Sequence, residues 1–378
     1  MNASTNLRGA QTSTPLTKTG RPSTAADRRG DADGLAARLR RRLSTRPALN
    51  LALQGGGAHG AFTWGVLDAL LEDPRTRFEG LSGSSAGAMN AVALASGWAA
   101  GGRDGARQAL ADFWSAIGEQ MPFGLWVDGE GEDIGPSLPG KLIASWAAQF
   151  TPEQLNPLDL NPMRRLLEQQ IDFERLRRAS PFKLFVGTTH VGSGKLRVFR
   201  EQQLHVDVLL ASACLPKMHH AVEIDGETYW DGGYSANPAV FPLFYECVSN
   251  DILLVLLNPL ARDETPRSID SINSRIAELA FSSHFTREMR TFAQAVEFAA
   301  SGGLRIGRLE RRLQKTRFHM IDSSGVRPLQ RSDTRLLAYG PFLEMLRDQG
   351  RERGKAWLGS AFGDVGKRST IDVRALFG

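Results

Sequence analysis

The chain of 378 residues lacks most features of a secreted or membrane-spanning protein. It contains two cysteines, Cys214 and Cys247, too few for a disulfide framework, which favours a reducing compartment such as the cytoplasm. It has no run of about 18 apolar residues, so we expect no membrane-spanning helix. Its amino terminus has no apolar stretch of the kind that forms the centre of a secretory signal peptide.

Residues 1–49 lack aromatic side chains and carry an excess of positive charge. This segment holds ten of the 46 lysines and arginines but three of the 41 acidic residues. Because such a segment can bury little apolar surface, we expect residues 1–47 to form a disordered basic tail. The remainder of the chain is slightly acidic, so we expect no nucleic-acid partner.

Strands and helices alternate from Leu49 onward. Leu49–Gln54 predicts a buried strand that runs into consecutive glycines, and a helix with apolar residues at helical spacing follows. Phe78–Ser82 predicts a second strand, and Ala86–Ala95 a helix of small residues that stops at Gly97. This alternation predicts an α/β fold, a three-layer α/β/α sandwich with a mainly parallel central sheet.

Three segments are expected beyond the tail. Residues 48–260 form the core, and within them about 104–180 predicts a helical insertion that is either a lid or membrane-facing surface, or an accessory core. Residues 261–378 predict a mainly helical part that packs on this core, with an edge strand at Thr316–Ile321. The tryptophans of the insertion are Trp114, Trp126 and Trp146.

Glycines cluster where the first strand meets the first helix, at Gly55, Gly56, Gly57 and Gly60. Such a loop leaves backbone N–H groups free beside the positive end of a helix dipole, where a phosphate or an ester oxyanion can bind. The loop also fits G-x-G-x-x-G, so a dinucleotide-binding domain is an alternative. That alternative requires an acidic residue at the end of the next strand, whereas Glu79 lies at its start.

A second motif, Gly83-x-Ser85-x-Gly87, lies between a predicted strand and a predicted helix. The pattern alone is a weak signal, but this setting is typical of a nucleophile elbow. A sharp turn there presents the serine hydroxyl at a helix amino terminus, which stabilises developing negative charge. Ser85 is therefore the candidate nucleophile.

A third motif, Asp231-Gly232-Gly233, follows a predicted hairpin over Val222–Trp230. A serine nucleophile needs a base, and burial moves the pKa of a carboxylate towards neutrality. The two glycines would let the loop approach the serine closely. In isolation, however, the motif indicates no more than a turn or a helix cap.

These motifs, in this order, resemble the patatin-like phospholipase family over roughly Leu49–Leu257. The resemblance implies a serine acyl hydrolase of lipid esters, in which Ser85 attacks the ester carbonyl and Asp231 serves as base without a histidine. It also implies an acyl-enzyme and an oxyanion hole formed by backbone amides around Gly56 and Gly57. The five expected oxyanion donors are Gly55, Gly56, Gly57, Ala58 and Gly60. The matching blocks are Leu53-Gln54-Gly55-Gly56-Gly57-Ala58-His59-Gly60, Gly83-Ser84-Ser85-Ala86-Gly87-Ala88, Ala211-Ser212-Ala213-Cys214-Leu215-Pro216 and Tyr229-Trp230-Asp231-Gly232-Gly233.

One position departs from the family's pattern. The family's loop often has arginine or lysine where this chain has His59. A cation at this position assists in positioning a phosphate or the loop, and with a histidine that assistance would depend on pH or be absent. The resemblance implies a lipid ester substrate. The tryptophans and prolines of residues 104–160 allow peripheral contact at the inner membrane surface, and we expect neither cofactor nor metal, since His219-His220 precedes no obvious ligand pair. The residues indicate no oligomeric state. Two alternatives stay open: a triad with His284 or His319, and a non-catalytic lipid-binding protein of the same fold.

Overall fold

The computed structural model describes residues 47–119, 127–262, 265–301 and 307–378, without the side chains of residues 270 and 301. The described residues belong to one compact unit. The predicted tail up to residue 46 and Trp126 lie outside the described residues.

A central sheet of eight strands organises the molecule. Two further strands, β3 (Val127–Asp128) and β4 (Gly135–Pro136), form a separate small sheet. The strands of the central sheet are β1 (Leu49–Leu53), β2 (Phe78–Ser84), β5 (Lys183–His190), β6 (Leu196–Arg200), β7 (Val222–Ile224), β8 (Glu227–Asp231), β9 (Asp251–Val255) and β10 (Arg317–Ile321). The order in the large sheet is β10-β9-β1-β2-β5-β8-β7, with β6 paired to β5. The first five strands of that order run parallel, and β6, β7 and β8 are antiparallel additions.

Helices cover both faces of this sheet. Along β1, Leu51 and Leu53 belong to one apolar core, whereas Ala52 belongs to the other. Because successive side chains of a strand point to opposite faces, this alternation identifies a strand that is buried on both sides. The predicted three-layer α/β sandwich is therefore confirmed. The helices are α1 (Gly60–Glu72), α2 (Ala86–Glu119), α3 (Leu138–Ala147), α4 (Pro152–Leu155), α5 (Pro162–Gln170), α6 (Phe173–Ala179), α7 (Val206–Ser212), α8 (Phe241–Glu246), α9 (Ile269–Ser301), α10 (Arg308–Lys315), α11 (Gly340–Ser360) and α12 (Val373–Phe377).

The helix that follows Ser85 passes the predicted stop by a few residues and continues, after a break at Gly101 and Gly102, as a second helical segment. The expected stop at Gly97 is wrong: α2 continues to Glu119 and kinks at Gly101 and Gly102, which have non-helical backbone angles. A Cβ on Gly97 would collide with the carbonyl oxygen of Gly105, so this glycine serves close packing between the two segments of α2. Residues 104–119 of the predicted insertion are therefore part of a core helix.

The carboxyl-terminal residues complete the same sheet and both helical layers. The predicted edge strand is β10, which pairs in parallel with β9. Helix α11 crosses α1 at very short range, because a Cβ on Gly65 would meet the backbone of Arg347, and a Cβ on Gly350 would meet that of Phe62. Helices α9, α10 and α12 contribute to the core on the opposite face.

Candidate active site

Ser85 is the single residue of the turn between β2 and α2. Its φ of +54° lies in the left-handed region, which costs a residue with a side chain roughly 1–2 kcal/mol. Ser85 is partly exposed, whereas the residues on both sides of it are buried. The turn therefore presents one hydroxyl to the surface at the amino terminus of a long helix.

Close contacts on several sides hold the turn. The Ser85 N–H donates to the carbonyl oxygen and to Oγ of Ser212, both at 3.0 Å. The Ser212 hydroxyl in turn donates to the Gly187 carbonyl at 2.7 Å. A Cβ on Gly83 would collide with the backbone of Gly87, and a Cβ on Gly87 with that of β1. Both glycines of the motif are thus required by the packing around the serine.

Asp231 is the last residue of β8 and is completely buried. Its N–H donates to the Cys214 carbonyl at 2.8 Å, and its carbonyl accepts the Thr189 hydroxyl at 2.8 Å. On the side chain, Oδ1 accepts the Gly233 N–H at 2.7 Å. Asp231 therefore caps the turn that its motif indicates. Only one of its two carboxylate oxygens, Oδ1, takes part in this cap.

The Ser85 hydroxyl faces the Asp231 carboxylate. Burial raises the pKa of Asp231 to about 7, while the N–H of Gly233 and the hydroxyl of Ser85 lower it in part. Oδ2 has no hydrogen bond of good geometry with the described residues. The contact between the Ser85 hydroxyl and the carboxylate is thus looser than the hydrogen bonds around it.

Glycines also allow the Asp231 loop to reach the serine. A Cβ on Gly232 would collide with the Gly187 carbonyl and would lie 3.0 Å from Oγ of Ser84. The Ser84 hydroxyl is buried and donates to the Ala236 carbonyl at 2.6 Å. Ser84 is therefore a structural residue, although it neighbours Ser85 in the motif.

Three N–H groups of the glycine loop already have acceptors. Gly55 donates to Oδ1 of Asn237 at 2.6 Å, and Ala58 donates to the Arg335 carbonyl at 2.7 Å. Gly60 donates back within the short helical turn that precedes α1. These three of the five expected oxyanion donors are engaged within the protein.

Gly56 and Gly57 differ from these three. No acceptor for either N–H is found among the described residues. Gly57 has a φ of +61°, and a Cβ there would collide with the Arg335 carbonyl. The loop thus holds two adjacent amides that have no partner in the described part of the chain.

Asn237 and Gln54 fix this loop, although neither belongs to the site residues predicted from the sequence. The fully buried Asn237 side chain accepts from Gly55 N and donates to Gly55 O at 3.2 Å. Gln54 Oε1 accepts the N–H groups of Leu257 and Asn258 at 2.7 and 2.9 Å. The available signal was a polar residue at the end of a buried strand and an amide shortly after Gly233.

His59 is buried and points away from solvent. Its Nε2 lies 2.8 Å from the Thr334 hydroxyl, and its Nδ1 has no partner among the described residues. Burial and the nearby Arg335 charge lower the pKa of His59 to about 3. His59 is therefore neutral at ordinary pH, which agrees with the second of the two expectations, that a cation at this position is absent. The permanent charge beside the loop is Arg335.

Glu79 is unavailable to a nucleotide. Its carboxylate accepts the N–H groups of Val248 and Ser249 at 2.8 and 2.7 Å, at the amino end of β2. The glycine loop lies at the carboxyl end of β1, the opposite edge of the parallel strands. Glu79 therefore cannot serve as the acidic residue that the dinucleotide-binding alternative requires.

Neither triad histidine makes a hydrogen bond or an ion pair with Ser85 or Asp231 in the described part of the chain. His319 is buried, with Nε2 at 3.2 Å from Asp251 and Nδ1 at 3.1 Å from Thr370. His284 is exposed on α9. Within the described ranges, no group of three His, Cys, Asp or Glu side chains is arranged to hold a metal ion.

Comparison with known proteins relates this chain to a described family. Residues 51–244 match the sequence model of a family described as patatin-like phospholipase. Among solved structures, the chain is similar to VipD from Legionella pneumophila, with 18% identity and a TM-score of 0.39 over 83% of this chain and 67% of that one. No curated protein matches the chain at a significant level.

Proposed function

The chain belongs to the patatin-like phospholipase family, and from that premise we propose that Ser85 and Asp231 form the catalytic dyad of a serine acyl hydrolase that cleaves lipid esters. The observation that supports this most is the buried Asp231 carboxylate, with a pKa near 7, facing the hydroxyl of a strained serine. A base whose pKa is close to neutrality is ionised often enough, and basic enough, to accept the serine proton.

The reaction proceeds in two halves. In the first, Ser85 Oγ bonds to the ester carbonyl carbon while its proton passes to Asp231, and the alcohol leaves with that proton. In the second, water gives a proton to Asp231 and attacks the acyl-enzyme, whereupon the fatty acid leaves and Ser85 regains its proton. The covalent intermediate divides one difficult hydrolysis into two easier steps.

The N–H groups of Gly56 and Gly57 hold the oxyanion in this proposal. They are the amides of the loop without an acceptor in the described part of the chain. The amino terminus of α2, directly after Ser85, adds its positive potential at the same place. A single such donor accounts for roughly 10²–10³ in turnover in other acyl hydrolases.

We expect Asn237→Ala to lower kcat by roughly 100-fold with little change in KM. The substitution removes both hydrogen bonds that hold Gly55, so Gly56 and Gly57 lose their fixed position. Steady-state kinetics on a short-chain fatty ester would measure the effect.

Asn50→Ala is the matched control for that variant. Asn50 is also fully buried, and its amide donates to the Ser249 carbonyl at 3.1 Å near the amino edge of the sheet. Both variants should lose comparable stability, but Asn50→Ala should keep kcat. Equal losses of kcat would show that destabilisation, and not loop position, is responsible.

An apolar surface on the inserted segment supports contact with a lipid interface. Helix α3 has no buried residue, and Trp146 is 61% exposed. No helix in the described ranges is both long and apolar enough to cross a membrane. Contiguous exposed apolar groups are typical of a surface that binds lipid without spanning it. The exposed apolar residues are Leu138, Leu142, Ile143, Trp146, Phe150, Leu155, Leu158 and Leu160.

Trp114 belongs to the core, however. It is buried, and its indole N–H donates to Asn90 Oδ1 at 3.0 Å. The lipid contact that we propose is therefore confined to residues 138–160. Both cysteines are buried thiols, which supports a reducing compartment, and so we place this contact at the inner membrane surface.

The double variant Leu142→Gln, Trp146→Gln should hydrolyse lipid in vesicles at least tenfold more slowly, since two exposed apolar anchors contribute about 1.5–3 kcal/mol each when buried. Hydrolysis of a soluble short-chain ester should not change. Val248→Gln, at a 71% exposed position on another surface, is the control. If vesicle hydrolysis is unaffected, or if the soluble ester suffers equally, the proposed lipid surface is wrong.

A fluorophosphonate acylating probe tests the function as a whole. We expect one covalent adduct, mapped by peptide mass spectrometry to Ser85, together with lost esterase activity. A thermal shift with a nicotinamide or flavin nucleotide, combined with no adduct, would favour the dinucleotide alternative. Lipid binding with neither adduct nor turnover would favour the non-catalytic alternative.

A further inference from the structure

A turn from the carboxyl-terminal part of the chain lies against the glycine loop. It comprises residues 328–335, which we call the anchoring turn, and it begins within the short helical turn Arg327–Gln330. The whole turn lies outside residues 51–244, the segment that matches the family. Its contact with the loop joins residues 275 positions apart, at His59 and Thr334.

The main chain of the anchoring turn contacts the carboxyl half of the loop directly. The Arg335 carbonyl accepts the Ala58 N–H at 2.7 Å. A Cβ on Gly57 would collide with the same oxygen, so this carbonyl also limits how far Gly57 can move towards the turn. One peptide group of the anchoring turn therefore fixes the backbone directly after the two amides that we assign to the oxyanion.

The side chain of Thr334 holds the same part of the loop through His59. Thr334 is completely buried, and its hydroxyl donates to the Pro328 carbonyl at 3.1 Å. Because a threonine hydroxyl has one hydrogen, its oxygen is the acceptor towards His59 Nε2, which lies 2.8 Å away. The neutral ring must then carry its proton on Nε2. Thr334 thus sets both the orientation and the tautomer of His59.

A third connection leads from the anchoring turn to the start of the loop. The Arg335 guanidinium donates through Nη2 to Asn258 Oδ1 at 2.8 Å. The Asn258 N–H donates to Oε1 of Gln54 at 2.9 Å, and Gln54 directly precedes the first glycine of the loop. The anchoring turn thus holds the loop on both sides of the two oxyanion amides.

We propose that Thr334 is a positioning residue that acts through His59 to hold the two oxyanion amides of the glycine loop. The proposal rests on the acyl hydrolase function given above, since these amides act only where an oxyanion forms. It assigns to the carboxyl-terminal part of the chain a role in turnover as well as in packing. Donors that are displaced by about 1 Å can lower a rate by roughly 100-fold.

Thr334→Val tests this role, because valine keeps the shape of threonine and removes the hydroxyl. We expect kcat for a short-chain fatty ester to fall roughly 10- to 100-fold with little change in KM, since displaced donors stabilise the oxyanion less. Thr334→Ser keeps the hydroxyl and should restore most of the native kcat. The rate of fluorophosphonate labelling at Ser85 should follow the same order.

Thr76→Val is the matched control. Thr76 is also completely buried, and its hydroxyl likewise donates to a carbonyl six residues earlier, that of Leu70, at 2.6 Å. It lies just before β2, at the edge of the parallel strands opposite the loop. Both threonine variants should lose comparable stability in urea unfolding, but Thr76→Val should keep kcat. Equal losses of kcat, or a full kcat in Thr334→Val, would overturn the proposal.

Variants of His59 test the same contact from its other end and do not depend on the folding of Thr334→Val. A glutamine amide can replace Nε2 as the donor, so His59→Gln should keep most of the native kcat, whereas His59→Leu should lose as much as Thr334→Val. Because both substitutions break one contact, combining His59→Leu with Thr334→Val should add little further loss. Fully additive losses, or equal kcat in His59→Gln and His59→Leu, would contradict the proposal.

The His59 ring also reports the contact without substrate. Burial and the Arg335 charge lower the pKa of His59 to about 3, so ¹⁵N spectra of the native chain should show one neutral tautomer, with the proton on Nε2, between pH 5 and 9. Thr334→Val leaves neither ring nitrogen with a partner in the described part of the chain, so the tautomers should mix. Thr76→Val should keep the native signal. An unchanged His59 signal in Thr334→Val would refute this proposal alone, whereas a native chain that reacts with neither ester nor fluorophosphonate would refute the proposed function.

Discussion

Ser85→Ala is expected to reduce hydrolysis of a short-chain fatty ester by roughly 10⁴-fold or more while the protein stays folded. The substitution removes the only proposed nucleophile, and no acyl-enzyme can then form. Alanine tolerates the φ of +54° no worse than serine, so the turn itself should persist. Residual ester hydrolysis, fluorophosphonate labelling and circular dichroism would measure the three consequences.

Two neighbouring substitutions sharpen this result. Ser84→Ala deletes the hydrogen bond to Ala236 and should cost about 1 kcal/mol of stability, with turnover retained. Ser85→Gly should be inactive but more stable than the native chain by about 1 kcal/mol, because glycine relieves the left-handed strain. Undiminished turnover in Ser85→Ala would exclude the nucleophile assignment.

Asp231→Asn is expected to lower kcat by roughly 10³-fold or more, since general-base catalysis contributes about 10²–10⁴. In the native chain, activity should fall as pH decreases through about 7, the pKa to which burial raises Asp231. This acid limb should be absent from the residual activity of the variant. Rates measured between pH 5 and 9 would show both effects. An active Asp231→Asn, alongside an inactive His284 or His319 variant, would favour a triad.

The same variant should gain stability at high pH. The pKa of Asp231 is higher in the folded chain, about 7, than its ordinary value of 3.8. Its contribution to stability is therefore fully present below about pH 4 and is lost as pH rises through about 7. At pH 8 the native chain buries a charge that asparagine lacks, so urea unfolding should show the variant to be more stable, by an amount on the order of a few kcal/mol. Loss of stability at pH 8 would contradict this explanation.

The local pattern of the sequence determined the fold class and the expected role of Ser85, whereas the expected role of Asp231 came from the resemblance of several motifs, taken together, to a family. Buried strands, glycine-rich turns and helices of small residues each leave a signature within a few positions, because backbone conformation and short-range burial set them. The hairpin predicted over Val222–Trp230 from its central turn is present in the structure as β7 and β8. The stop predicted at Gly97 was wrong because that glycine serves packing between two segments of α2, and a turn glycine has the same signature.

Tertiary contacts alone decided which groups of the site are free to act. All four residues from Gly55 to Ala58 are small, and nothing in the local sequence tells their N–H groups apart. Yet the N–H of Gly55 donates to Asn237, which lies 182 residues further along the chain. The N–H of Ala58 donates to Arg335, which is still more distant in sequence. Likewise His59 is neutral because the folded chain buries it beside Arg335. Hydrogen-bond partners and desolvation depend on residues that meet only after folding, and no local pattern encodes them. The sequence thus predicted where the chemistry lies, and the packing determined the charge and availability of each group there.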